Sequence, residues 1–373
     1  MRVSFILPVA NMSGGAKVAA IYARELTKRG HQVRIISPAP NSVPMKRRIK
    51  QWLSGDGWIS DRAKRTSHLQ DGGLDWRVLE RTGPISSEDV PDGDVVIATW
   101  WETAEWVASF PAQKGAKVYF IQGHEIFPHV PADRCRATYR LPFHKIVVAK
   151  WLRELMGKEY GDSQVDLVPN SVDKEQFFAH PRSKQPYPTV GLLYSASEVK
   201  GVDVAIAALE RVRRSYPTLR VLSFGHAPLT RRLSLPGSAQ HFTLPPQEFI
   251  RQIYSGCDVW LTASRSEGFN LTAMEAMACR TPVVSTRTGW PEEAIRSGWN
   301  GWLSDIDDVN GLAFGVNRIF DLSDEEWRAV SENAFSTVAN SSWSVSADAF
   351  EEALERAIWR AAKGEIGGGT PNC

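Results

Sequence analysis

Two glutamates eight positions apart, Glu267 and Glu275, stand in the string EGFNLTAMEAMACRTPVVS, which runs from Glu267 to Ser285. It directly follows the apolar run 258–262, which reads as a buried strand. Ligands of open parallel sheets bind beyond the carboxyl ends of strands, so Glu267, Gly268, Phe269 and Asn270 stand where a binding loop belongs. Asn270 can cap the helix expected over 271–279, whose first N–H groups and positive dipole end suit an anion such as a diphosphate. Glu275 falls on the second turn of that helix, where a carboxylate can accept hydrogen bonds from sugar hydroxyls. The blander reading has both glutamates capping and solvating a helix end. Two of them around a Gly-Phe loop after a buried strand favour the binding reading.

Such a loop needs a sheet behind it, and the chain supplies the pattern for two. Short apolar runs alternate with helical patterns along nearly the whole length, as in βα units around parallel sheets. The first series predicts strands over 3–7, 33–37, 94–98, 117–121, 146–148 and 165–168. After the first of them, Val18, Ile21, Tyr22 and Leu26 line one helical face, and Gly30 is placed to close that helix. The polar, proline-bearing segment 180–188, HPRSKQPYP, reads as an interdomain linker. Beyond it a second series predicts strands over 189–194, 219–224, 258–262 and 282–285, with helices near 202–213, 247–255, 271–279 and 292–296. Near the end, Phe350, Leu354, Ala357 and Ile358 form an apolar stripe on one more helix, before a Gly-rich tail.

A chain of 373 residues, 43% hydrophobic and 23% charged, has globular proportions and a length for about two domains. The net charge of +2 conceals an asymmetry, since residues 1–187 carry 27 basic and 20 acidic side chains against 17 and 22 in the remainder. Much of the excess lies before residue 71, in Lys46, Arg47, Arg48, Lys50, Arg62, Lys64 and Arg65, interleaved with Trp52 and Trp58. This composition is expected either of a solvated basic loop or of a surface for anionic lipid or an anionic acceptor. No nucleic-acid motif accompanies it, and no nucleic-acid partner is expected. Cys135, Cys257, Cys279 and Cys373 are scattered without CxxC spacing, which fits a reducing cytoplasm. The apolar stretch 3–10 is short and leads into Ser13-Gly14-Gly15, so it reads as a strand and not as a secretion signal. Nowhere do about 18 apolar residues run together as a membrane-spanning helix requires.

Further strings bear on chemistry. The stretch FIQGHEI, residues 120–126, places His124 just after an apolar strand. His124, Glu125 and His129 do not form an HExxH zinc site, because position 128 is proline. Asp92-Gly93-Asp94 abuts a strand start and reads as a turn. No metal is expected. There is no GxGxxG fingerprint and no Walker A loop, which argues against a dehydrogenase and a P-loop kinase.

The string from Glu267 is similar to the Glu-x7-Glu signature of retaining glycosyltransferases of family 4, the glycosyl transferases group 1, and further likenesses follow in order along the chain. Ser13-Gly14-Gly15-Ala16 with Arg29-Gly30-His31 resembles that family's N-terminal glycine loop and first helix. Residues 168–173, VPNSVD, resemble its Pro-Asn-Gly-Val-Asp element, and Lys200-Gly201 its phosphate-binding Lys-Gly. Residues 257–259, 289–292 and 300–301 match later elements. The resemblance implies an α/β GT-B fold, two Rossmann-like domains facing across a cleft. It places an acceptor domain at 1–180, a nucleotide-sugar domain at 181–343, a crossover helix at 344–363 packing back on the first domain, and a flexible tail at 364–373.

The same likeness implies site roles. Glu275 binds the donor ribose, Glu267 contacts the donor sugar, and Gly268, Phe269, Asn270 and Leu271 meet sugar or phosphate, with Gly14 and Gly15 on the donor from the first domain. Lys200 neutralises the diphosphate leaving group, a task that suits a positioned ammonium on physical grounds as well. His124 matches a histidine that hydrogen-bonds the donor sugar. In this family an arginine usually precedes the lysine by five positions; here that position is Ser195, and Arg265 is either a replacement or, on the favoured reading, a surface arginine. Ser171 and Arg280 stand where glycines are usual. The expected activity is transfer of a sugar from a nucleotide-sugar donor to a glycan or lipid-linked acceptor with retention of configuration. Polysaccharide or glycoconjugate biosynthesis follows as the expected setting, in the cytoplasm or peripherally on an anionic membrane face. An epimerase or coupling enzyme of the same fold and a non-catalytic sugar-nucleotide binder are the alternatives.

Overall fold

The alternating apolar runs fold as two parallel sheets in the computed structural model, which describes residues 1–40, 45–46, 67–69, 73–127, 130–236 and 238–367. The contacts divide the chain into two units. Among the described residues, one is built from the chain up to Asn170, Lys46 excepted, and the segment from Trp343 onward, the other from Lys46 and Ser171–Ser342. Of the basic segment, Arg47, Arg48, Lys50, Trp52, Trp58, Arg62, Lys64 and Arg65 lie outside the described residues, as do His129 and Cys373.

Among the described residues the first unit holds seven strands: β1 (Arg2–Ile6), β2 (Gln32–Ser37), β3 (Asp75–Val78), β4 (Val95–Ala98), β5 (Ala116–Ile121), β6 (His144–Val147) and β7 (Val165–Leu167). They pair in parallel in the order β3-β2-β1-β4-β5-β6-β7. Strands β4, β5 and β6 are buried throughout, the result of helices covering both faces. Strand β3 is the element the apolar pattern does not reveal: it is a short sheet edge and mostly exposed. Helix α1 (Gly14–Lys28) follows β1, and α2 (Trp101–Ala108) follows β4. Two more, α3 (Ala132–Thr138) and α4 (Lys150–Tyr160), follow β5 and β6.

The second unit holds β8 (Thr189–Tyr194), β9 (Arg220–Gly225), β10 (Ser238–Thr243), β11 (Val259–Thr262), β12 (Val283–Thr286) and β13 (Gly301–Ser304), parallel in the order β10-β9-β8-β11-β12-β13. The two strands that the apolar pattern leaves out, β10 and β13, are again the sheet edges, where polar residues such as Ser238, Gln240 and His241 are tolerated. Helices α5 (Val202–Ser215), α6 (Gln247–Ser255), α7 (Leu271–Ala278), α8 (Trp290–Ala294), α9 (Val309–Asp321) and α10 (Asp324–Val338) complete this unit.

The last helix, α11 (Trp343–Ala362), belongs to the first unit. Its Phe350 is fully buried, stacked on Tyr22 at 4.3 Å between ring centroids and edge-on to Phe120 at 5.1 Å. Burial of one such ring is worth about 1.5–3 kcal/mol. Around it, Arg29 pairs with Asp348, and Glu351 accepts from His31 at 2.6 Å. Residues 364–367, expected in a free tail, are instead tied to the sheet. Gly367 donates to the Pro142 carbonyl and accepts from the Lys117 N–H, because β5 leaves that donor available at its start.

Both sheets reverse their winding at one point, between β1 and β4 in the first and between β8 and β11 in the second. Connections leaving the carboxyl ends of such a strand pair diverge, and the crevice they leave is where this architecture binds ligands.

Candidate active site

At the reversal point of the second sheet, the loops after β8 and β11 carry Lys200 and Glu267. Lys200 ends a single 3-10 turn, Glu198–Lys200, and Gly201 follows with φ +58°. A Cβ at Gly201 would lie 1.9 Å from the Ala263 carbonyl oxygen, so only glycine lets this turn rest against the end of β11. That contact delivers Lys200 to the neighbouring loop. Its Nζ lies 2.7 Å from Glu267 Oε1, which also accepts from Ser264 Oγ at 2.6 Å. The Glu267 side chain is 10% exposed and that of Lys200 33%, so the pair is shielded on the carboxylate side and open on the ammonium side.

Asn270 adopts a left-handed conformation, φ +78°, and its Oδ1 accepts from the Ala273 N–H at 3.3 Å to cap α7. Its amide also donates to Thr262 Oγ1 at 3.0 Å, which anchors the cap to the end of β11. The preceding Phe269 is fixed from α8: the Trp290 N–H donates to its carbonyl at 2.8 Å and the two rings stack at 5.6 Å. Gly289, with φ +63°, permits this, since a Cβ there would come within 2.9 Å of the Phe269 oxygen. Residues 267–270 are thus a braced loop opening a helix, with Leu271 as its first residue.

Glu275 sits inside that helix and is buried, its Oε2 accepting from Tyr254 Oη at 2.8 Å. Burial, with the Glu275 carboxylate adding to it, pushes the Tyr254 hydroxyl well above the ordinary tyrosine range, so it remains a donor. Tyr254 lies twenty-one positions before Glu275 on α6, and no sequence periodicity links them.

Arg265, the candidate for the arginine absent at Ser195, is committed elsewhere. Its Nε donates to Asp307 at 2.7 Å, and its two terminal nitrogens donate to Asp203 at 3.1 and 2.8 Å; one of them also reaches the Glu198 carbonyl at 2.7 Å. The Arg265 N–H donates to the Val199 carbonyl at 2.7 Å. Arg265 braces the turn that bears Lys200. Arg280, in place of a glycine, does adopt a positive φ of 57°.

A second group of sequence candidates gathers in the first unit at the carboxyl ends of β1 and β5. Ser13 caps α1, and Gly14 and Gly15 form its first two residues. The Gly15 carbonyl accepts at 3.2 Å from Nε2 of Gln122, a residue that no sequence motif marks, while a Cβ at Gly14 would meet nothing within 4 Å. His124, two residues beyond Gln122, is half-buried, with Nε2 2.8 Å from Tyr160 Oη. Burial holds its pKa below the ordinary histidine value, Arg136 acting in the same sense and Glu159 against it, so the ring is neutral at pH 7. Glu125 is fully buried, accepting from the Trp101 N–H at 2.7 Å and from Tyr119 Oη at 3.1 Å. Burial pushes its carboxyl up to about 8. The Asp92-Gly93-Asp94 turn lies at the opposite, amino end of this sheet, where Asp92 pairs with Lys114 and Asp94 with Arg2.

With this geometry in place, likeness to known proteins is informative. The family described as glycosyl transferases group 1 matches residues 188–321, the span that contains Lys200, Glu267 and Glu275. Curated relatives are named as glycosyltransferases. A D-inositol 3-phosphate glycosyltransferase of Corynebacterium jeikeium is 38% identical over 111 residues, 30% of this chain and 26% of that protein. One of Nocardia farcinica is 28% identical over 257 residues, 60% of this chain and 55% of that protein. The matches span between about a quarter and about half the length of these relatives. Among solved structures, Anabaena HepE in complex with UDP and glucose superposes with a TM-score of 0.73 at 17% identity, covering 95% of this chain and 99% of that one. Sucrose-phosphate synthase from Thermosynechococcus elongatus gives 0.71 at 17% identity, covering 97% and 100%. At such identities the likeness is one of fold, and that fold is GT-B. Among the described residues, no helix is long and apolar enough to cross a membrane.

Proposed function

We propose that this chain is a glycosyltransferase that takes a nucleotide-sugar donor on its second unit and passes the sugar to a glycan or lipid-linked acceptor. The observation that carries the reading is the Lys200–Glu267 pair at the reversal point of a group 1 sheet, beside the capped amino end of α7. The half-open ammonium of Lys200 faces the charge that grows on a departing nucleoside diphosphate, and the first N–H groups of α7 add to it. Glu267, already accepting from Lys200 and Ser264, has the acceptor capacity to take donor-sugar hydroxyls. Glu275, oriented by Tyr254, accepts from the ribose hydroxyls. His124, Gly14 and Gly15 are the further candidates for contact with the donor.

On this reading the reaction retains anomeric configuration without a covalent enzyme intermediate. It needs no metal, because Lys200 supplies the leaving-group cation. Among nucleotides a uridine diphosphate is the first to try, given the ligands of the HepE structure. Cell-surface polysaccharide or glycoconjugate synthesis in the cytoplasm, with peripheral attachment to an anionic membrane through the basic segment, is the setting the reading favours.

The test is thermal denaturation of the full chain across uridine, guanosine and adenosine diphosphate sugars, followed by mass-spectrometric search for a new glycosidic bond with the stabilising donor. Ligand in large excess of its Kd stabilises by about 3 kcal/mol. A new glycosidic bond supports the reading. Donor conversion without one makes the chain a nucleotide-sugar isomerase or coupling enzyme, and binding without turnover makes it a non-catalytic binder.

A further inference from the structure

His124 is enclosed by hydroxyls that no role in the reaction yet explains. Tyr139, at the carboxyl end of α3, grips the backbone on both sides of it, accepting from the Glu125 N–H at 2.8 Å and donating to the Gly123 carbonyl at 3.3 Å. Tyr139 also lies against the imidazole, 5.5 Å between centroids, and against the Tyr160 ring at 4.9 Å. Tyr160, the last residue of α4, places its Oη 2.8 Å from His124 Nε2 while the Arg140 guanidinium sits over its ring at 5.0 Å. Next to this, the Glu125 carboxyl ties the same loop to the start of α2. The loop, the ring plane and one ring nitrogen are therefore fixed by three separate elements.

We propose that Tyr160 is a positioning residue that donates its hydroxyl proton to His124 Nε2, holding the neutral imidazole as the Nδ1–H tautomer with that N–H presented to an oxygen of the donor sugar. The direction of the bond follows from what each partner can offer. The phenol is the better donor of the two, and a neutral imidazole has one nitrogen that must accept. Among the described residues, Nδ1 has no hydrogen-bond partner, which leaves it as the nitrogen open to a ligand. A bond donated to Nε2 also opposes protonation, in the same direction as burial and Arg136 and against Glu159. The geometry around His124 stands by itself, while the sugar contact rests on the glycosyltransferase reading.

Tyr160→Phe removes one oxygen from a partly buried ring and keeps its packing, so the variant is expected to fold with an unchanged melting profile. Nitrogen-15 spectra of histidine-labelled full chain report tautomer and pKa directly. The wild type is expected to show Nδ1–H at His124; the variant is expected to gain the Nε2–H form and a higher imidazole pKa, with Glu159, Arg136, Arg140, Tyr139 and Glu125 all left in place. Its kcat/KM for the donor is expected to fall about fivefold to tenfold, the scale of one neutral hydrogen bond. Nε2–H in the wild type, or a tautomer and pKa unmoved by the substitution, would overturn the proposal. A shifted tautomer with unchanged kcat/KM would also overturn it, by separating His124 from the sugar. Absence of any donor turnover by a wild type that shows the Nδ1–H tautomer would reject the glycosyltransferase reading instead, and the two failures are thereby told apart.

Discussion

Lys200 Nζ and Glu267 Oε1 meet at 2.7 Å although 67 residues separate them in the chain, because each follows one of the two adjacent strands between which the second sheet reverses direction. The carboxylate is satisfied from two sides and the ammonium remains one-third exposed. On the proposed reading, a nucleoside diphosphate approaching this pair meets a cation already held in place.

Lys200→Ala is accordingly expected to lower kcat more than it raises the KM for donor, since charge on the leaving diphosphate grows as the glycosidic bond breaks. Loss of one such preorganised group costs about a hundredfold in kcat. Steady-state kinetics with the best donor measures the split; a rise in KM alone would make Lys200 a ground-state binding residue.

The Lys200 turn depends on Gly201. Gly201→Ala places a Cβ against the Ala263 carbonyl and forces a side chain into left-handed backbone, a conformation that alone costs about 1–2 kcal/mol. The variant should melt earlier and bind nucleotide less tightly than the wild type. An unchanged melting temperature would show that the turn tolerates what its geometry forbids.

Glu275→Gln is expected to weaken donor use by about 1.5–3 kcal/mol, because an amide replaces poorly a carboxylate that accepts hydroxyls. Tyr254→Phe should do the same more weakly by releasing the carboxylate. Titration of both variants with the donor checks the order; equal affinity in Glu275→Gln and wild type would remove Glu275 from the ribose.

The Glu125 carboxyl makes stability depend on pH. Its folded-state pKa, about 8, lies above the ordinary glutamate value of 4.5, so the folded chain keeps a proton that the unfolded chain releases. The associated stabilisation is complete below pH 4.5 and is lost as pH rises through 8, a change of up to about 5 kcal/mol. Glu125→Gln should therefore show a flatter urea midpoint between pH 5 and 9 and be the more stable protein at pH 9. Parallel curves for the two proteins would contradict the buried, protonated carboxyl.

Much of this site is legible in the amino-acid sequence alone. Glu267, Asn270 and Glu275 announce themselves because a loop and a helix amino end keep them close in sequence, and buried central strands such as β5 and β11 write themselves as apolar runs. The edge strands β3 and β10 do not, since one side of an edge faces water and their polar residues mask the pattern, and β13, with only Trp302 and Leu303 as large apolar residues, is too short a run. The supporting residues are equally silent. Tyr254 reaches Glu275 in the second unit, and in the first unit Tyr160 reaches His124, Tyr139 the Glu125 N–H and Gln122 the Gly15 carbonyl; only the tertiary fold brings these within hydrogen-bond distance. Arg265 is a residue whose task the sequence leaves open: two residues from Glu267, it is spent on Asp203, Asp307 and the turn carbonyl, contacts that only the fold reveals.

Nucleotide binding by the second unit is the property on which the proposed activity most directly depends, and calorimetric titration of the full chain with uridine, guanosine and adenosine diphosphates measures it. One-site binding of at least one of them is expected, competed by the corresponding nucleotide sugar and weakened about tenfold, the 1.4 kcal/mol scale of one hydrogen bond to a charged group, in Lys200→Ala. Failure of all three to bind, or equal affinity in wild type and Lys200→Ala, would contradict it.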